Sequence, residues 1–101
     1  MFTITYTVKP QMRSAYLKTI QALKEHLVDA RGKDYAVFEH KSKPNRFTEV
    51  YFCKDWQEYE LLDDDQDEIV QTLVEKIMSE FVHNGKTEYA TLIESDSNNG
   101  M

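Results

Sequence analysis

The sequence predicts an α+β domain of ferredoxin-like type: a four-stranded antiparallel sheet with its helices on one face. Three observations carry this. Phe2-Thr3-Ile4-Thr5-Tyr6-Thr7-Val8 alternates strictly between apolar and hydroxyl residues, the period of a strand. Residues 35–40 and 46–53 are two β-rich runs separated by a short segment containing Pro44 and Asn45, the pattern of a hairpin. Two amphipathic helical stripes sit between strand patterns, so the order reads strand, helix, strand, strand, helix, strand. Right-handed crossovers turn that order into the ferredoxin-like βαββαβ arrangement.

Each element has its own signal. In the first strand Phe2, Ile4, Tyr6 and Val8 share one face, and Pro10 ends the run. The helix from about Gln11 to Ala30 places Tyr16, Ile20, Leu23 and Leu27 at spacings of four, three and four, one apolar stripe. Gly32 suits the left-handed position after its last turn. Asp55 is placed to cap a short helix holding Trp56, Tyr59 and Leu62. The acidic run from Asp63 to Glu68 then precedes a second stripe of Val70, Leu73, Val74, Ile77, Met78 and Phe81, and acidic residues suit a helix N-terminus. Asn84-Gly85 is the expected stop of this helix, and residues 87–94 the last strand. The domain is expected to span 1–94, with 95–101 a disordered polar tail.

Composition narrows the function. The chain has 101 residues, enough for one domain with a modest core, and a formal net charge of −6. A phosphate backbone needs a basic surface, so nucleic acid is an unsuitable partner. No apolar run approaches the roughly 18 residues of a membrane span, and no signal-peptide pattern opens the chain. Cys53 is the one cysteine, so no internal disulfide forms; a cytoplasmic setting is expected, with Cys53 a packed strand thiol. No metal or cofactor is expected. Asp63, Asp65 and Asp67 mimic the start of a calcium loop, but Glu68 stands where that loop needs Gly and Val74 where it needs Glu.

Both hairpin strands are apolar on both faces, whereas a sheet wetted on one side alternates cleanly. Helices supply cover for one face only. The other calls for a second copy, giving a dimeric α/β barrel with a lumen in each half.

These residues resemble the antibiotic-biosynthesis monooxygenase (ABM) family of dimeric α/β barrels over Phe2 to Ile93. The carriers are Val8-Lys9-Pro10, the helix closed by Gly32, Tyr35 with Phe38-Glu39, then Pro44, Phe47, Glu49, Tyr51, Trp56 and Tyr59. The resemblance implies cofactor-independent oxygenation of a small quinol or polycyclic phenol. It departs from the family at Gln11, where a Gly is common, and between Tyr59 and Phe81, which holds no His. The haem-degrading branch also needs an Asn on the first strand, which is absent. The alternative is a non-catalytic barrel that binds a small aromatic or apolar ligand or serves as an interaction module.

If Pro44 and Asn45 are the central turn residues, His40 faces Glu49 across the hairpin and Phe38 faces Tyr51. A carboxylate beside an imidazole fixes its tautomer and suits a general base, so the candidate catalytic set is His40 and Glu49, with Tyr51 and Tyr6 as orienting donors. The alternative is a solvated cross-strand pair near the hairpin tip. Tyr35 and Tyr89 also lie on strands, where phenols on apolar walls suit a planar aromatic ligand or simply pack the core. Glu39, Glu88, His26 and His83 read as surface groups, and Arg13 and Arg46 as scattered cations.

Assembly is the first test. Light scattering at micromolar concentration is expected to show a homodimer, its interface burying well over about 1,000 Å² in total. A monomer removes the reason for a barrel.

Overall fold

The computed structural model describes residues 1–52 and 67–92. Among them are four strands and two helices: β1 (Phe2–Val8), α1 (Arg13–Glu25), β2 (Tyr35–Glu39), β3 (Arg46–Tyr51), α2 (Glu68–Lys76) and β4 (Val82–Thr91). The sheet order is β2-β3-β1-β4, and every neighbouring pair is antiparallel. α1 therefore carries the chain past β3 to one edge of the sheet, and the β3–β4 connection carries it past β1 to the other. This is the ferredoxin-like fold. The expected short helix at Trp56, Tyr59 and Leu62, the Cys53 thiol, the acidic run up to Gln66 and the 95–101 tail lie outside the described residues.

The alternation of β1 sorts the sheet into two faces. Ile4, Tyr6 and Val8 are buried in one core with Phe47 and Tyr51 of β3 and Tyr35 of β2. The α1 stripe of Tyr16, Ile20, Leu23 and Leu27 is buried in that core as well. From α2 and its last turn, Ile77 and Phe81 are buried, while Val70, Leu73, Val74 and Met78 pack against the core from its edge. Fully burying one such side chain contributes about 1.5–3 kcal/mol, so this layer dominates the fold's stability. Thr3, Thr5, Thr7, Thr48, Ala36 and Phe38 point to the opposite face, where Phe38 is 55% exposed.

Both helices end in a wider, π-helical turn, His26–Ala30 after α1 and Ile77–Phe81 after α2. Gly32 closes the first at φ +63°, its N–H donating to the Val28 carbonyl. The second runs straight into β4 at Val82. Asn84-Gly85 is therefore not the helix stop that its composition suggests. Both residues take left-handed φ, +55° and +63°, inside the strand. There β4 advances five residues, Val82 to Thr87, while β1 retreats two, Val8 to Tyr6. Asn and Gly tolerate that conformation best, so the pair marks a large bulge.

The hairpin also departs from expectation. Tyr35 pairs with Tyr51, Val37 with Glu49 and Glu39 with Phe47. The strands end at Glu39 and Arg46, so the connection is a loop over 40–45. A two-residue hairpin turn of the preferred kind needs positive φ at its first central residue, which the proline ring forbids at Pro44. Asn45 alone turns left-handed, at φ +66°. Arg13 fastens this loop to α1: its guanidinium donates to both Glu39 oxygens and to Asn45 Oδ1, and it lies 5.6 Å from the Phe47 ring centroid.

One carboxylate joins the two helices. Asp67 caps α2 by accepting from the Ile69 and Val70 amides through Oδ1. Its Oδ2 accepts from Arg31 and lies 2.6 Å from His26 Nε2, at the far end of α1. His26 is thus a docking contact and not the freely exposed residue its position suggests. The His26 bond first, then Arg31 and the Val70 amide, holds the Asp67 carboxyl well below its ordinary range. A lowered folded value stabilises above the unfolded pKa of about 3.9 and is lost as pH falls through the folded value. Asp67→Asn, which can still cap, is expected to lower the melting temperature at pH 7, with the gap to the parent shrinking steadily in melts below about pH 4. A gap that does not change with pH means the charge contributes nothing.

Candidate functional site

Glu49 is the least expected residue of the core. Its backbone pairs with Ile4 on one side and Val37 on the other, so its side chain enters the helix-covered layer and is only 2% exposed. Burying a carboxylate among apolar groups is costly unless donors meet it. Two phenols do. Tyr6 of β1 donates to Oε2 at 2.7 Å, and Tyr35 of β2 donates to Oε1 at 2.6 Å. The Tyr6 hydroxyl also lies 2.8 Å from that of Tyr16 on α1. One hydrogen-bonded line thus runs Tyr16, Tyr6, Glu49, Tyr35, crossing α1 and three strands.

Rings fill the space around it. Tyr35 and Tyr51 pack with centroids 4.8 Å apart, Tyr16 and Phe47 with centroids 4.6 Å apart, and Tyr6 meets Tyr16 edge-on. Removal from water raises the Glu49 pKa, and the two phenol donors lower it; burial prevails and the value stands above the ordinary range. Burial first, then the nearby Glu49 charge, pushes Tyr6, Tyr35 and Tyr51 up, so these phenols stay protonated. Among the described residues every buried side-chain nitrogen or oxygen has a hydrogen-bond partner.

The structure brings together part of the predicted set and separates the rest. Glu49 and Tyr6 are directly bonded, and Tyr51 contributes its ring to the same cluster. The pairing of His40 with Glu49 does not form. The hairpin register differs from the expected one by an odd number of residues, which sends His40 to the other face of the sheet. There its Nε2 lies 2.8 Å from Thr48 Oγ1, which in turn lies 2.9 Å from Thr5 Oγ1. Tyr35, the second donor to Glu49, and Tyr16, which bonds the Tyr6 hydroxyl, are the members of the cluster that sequence reasoning does not assign to it. The signal was present: Phe47, Glu49 and Tyr51 share one face of a strand at period two.

Beside this cluster a groove opens between α1 and edge strand β2. Leu17, Ile20, Val37 and Phe47 give it apolar walls, and Lys18, Gln21, Lys24 and Glu39 also line it. Arg13 first, then the Asn45 amide, holds the Glu39 carboxyl at about 2, so Glu39 is a poor proton acceptor. Glu49 lies behind the wall formed by Val37, its register partner. Glu88 ion-pairs with Arg46 on the opposite face.

Solved structures share this architecture. A conserved protein from Methanosarcina mazei Go1 matches with TM-score 0.72 at 19% identity, covering 88% of this chain and 85% of that one. An uncharacterized NIPSNAP domain protein from Burkholderia xenovorans matches with TM-score 0.73 at 13% identity, covering 95% and 94%. An antibiotic biosynthesis monooxygenase matches with TM-score 0.64 at 16% identity, covering 93% of this chain and all of that one. The chain has the ABM-type fold. At these identities the likeness establishes fold and not activity. No protein-family model and no curated protein matches the sequence. Among the described residues no helix is long and apolar enough to cross a membrane.

The raised Glu49 value has a measurable consequence. Between about pH 4.3, the ordinary glutamate value, and the raised folded value, the native state keeps a proton that the unfolded chain has released. Stability therefore falls as pH rises through that window. Glu49→Gln is neutral throughout and lacks this fall, so melts from pH 4 to 8 should show the variant gaining on the parent as pH rises. Parallel curves would mean the carboxyl titrates normally. Tyr35→Phe leaves Oε1 without its donor and should cost about 1–3 kcal/mol in denaturant unfolding.

Proposed function

We propose that this chain is a homodimeric α/β barrel that oxygenates a small quinol or polycyclic phenol without a cofactor. The observation that supports this is Glu49, a carboxylate of raised proton affinity in a dry, aromatic interior, already hydrogen-bonded to two phenols. Oxygenation of this kind begins with loss of a phenolic proton. An ordinary glutamate lies almost six pKa units below a phenol, at about 1.4 kcal/mol per unit, so each unit that burial adds lowers the cost of that transfer. Tyr35 is the donor that a substrate hydroxyl would replace on Glu49, because Tyr6 has a second partner in Tyr16 and stays to bind the resulting anion. The electron-rich ring carbon then reacts with dioxygen itself. For an anthrone-type CH2 carbon, one oxygen atom ends in the new carbonyl and the other leaves as water with the two hydrogens.

The second copy of the chain would cover the face that carries Thr3, Thr5, Thr7, Thr48 and the exposed Phe38. His40 lies on that face, so in this reading it serves the interface and Glu49 acts as the base.

One observation favours a second reading, a barrel that binds such ligands without turning them over. Both Glu49 oxygens are occupied by the chain's own tyrosines, and the carboxylate does not line the groove. Oxygen uptake by purified protein across a panel of quinols and anthrones separates the two. Turnover is expected, falling by about 10²–10⁴-fold in Glu49→Gln, the usual contribution of a general base. Binding without oxygen uptake across the panel leaves the non-catalytic reading.

A further inference from the structure

We infer that the groove between α1 and β2 selects aromatic ligands carrying an anionic group, a carboxylate above all. This deepens the phenol reading by naming a second feature of its substrate, and it rests on that reading only for the choice of an aromatic body.

The chain as a whole repels anions, with 18 acidic against 12 basic residues. The groove reverses that sign. Lys18 and Lys24 both line it, and neither has an ion-pair partner among the described residues. Its one carboxylate, Glu39, is neutralised by Arg13. Other cations are spent elsewhere: Arg31 is held by Asp67 and Arg46 by Glu88. The groove thus keeps two uncommitted ammonium groups beside an apolar wall.

The placement follows from the helix. Leu17, Gln21 and Lys24 recur at spacings of four and three on one flank of α1, and Lys18 adjoins Leu17. Lys18 and Lys24 are six residues apart, about 9 Å along the axis, comparable to the length of a two-ring aromatic. Leu17, 40% exposed, and the partly buried Val37 offer apolar surface to its rings, and a lysine at either end can meet its carboxylate. Such partly exposed ion pairs are individually weak, so the effect expected is selectivity and not tight binding.

The test uses the intact protein and two probes of one shape, 2-naphthoate and 2-naphthamide, titrated by fluorescence at low and at moderate salt. Naphthoate is expected to bind about fivefold or more tightly, with the advantage shrinking as salt rises. Lys18→Gln combined with Lys24→Gln should remove the advantage while retaining naphthamide binding. Lys41→Gln combined with Lys86→Gln, which changes net charge equally at exposed positions outside the groove, should preserve it. Equal affinity of the two probes for the parent overturns the inference, as does selectivity that survives the Lys18/Lys24 change. The catalytic reading fails separately: no oxygen uptake across the quinol and anthrone panel, with the naphthoate selectivity intact, sinks oxygenation and leaves the anion site standing.

Discussion

A single carboxylate decides how this domain is organised. Glu49 has been taken out of water into the layer between sheet and helices, where an unmet charge is prohibitively costly. Meeting it requires donors from both sides at once, one of them held in turn from above. Tyr6 and Tyr35 flank it from the neighbouring strands, and Tyr16 reaches down from α1 to fix the Tyr6 hydroxyl. Those contacts set the register of β1 and β2 against β3 and the depth at which α1 sits. An interior filled by leucine would tolerate a sliding helix; a bonded line of four polar side chains does not.

The same chemistry carries the proposed function. Aromatic rings around Glu49 exclude water, which raises its proton affinity, and only a carboxylate so altered is a useful acceptor for a phenolic proton. Glu39, two residue pairs nearer the hairpin loop in the same sheet, shows the contrast. Its partner is a guanidinium in contact with solvent, and its value falls to about 2. Two glutamates in neighbouring strands thus differ in proton affinity because one was given phenols and the other a cation.

Much of this was legible in the sequence. The strict alternation of β1 and the stripes of α1 and α2 follow from burial on one face, and they place the core residues correctly. The failures have identifiable causes. Pro44 looked like a turn centre, yet its fixed negative φ excludes the tight turn that would have set His40 against Glu49. Moving the register by an odd number exchanges the faces, so one misread turn misplaced one half of the candidate pair. Asn84-Gly85 carries the same left-handed preference whether it ends a helix or bulges a strand, and only the pairing of β1 with β4 distinguishes the two. That a glutamate would be buried was readable from its company, Phe47 and Tyr51; which hydroxyls meet it depended on three elements converging.

The bulge in β4 bears on how the protein avoids unwanted polymerisation. At ten residues β4 is long for an outermost strand, and a flat row of free amides and carbonyls invites another chain to extend the sheet without limit. The left-handed pair Asn84-Gly85 breaks that row within three residues of its start, and the extra length it introduces twists the strand away from planarity. Sideways growth is thereby discouraged at the β4 border of the sheet.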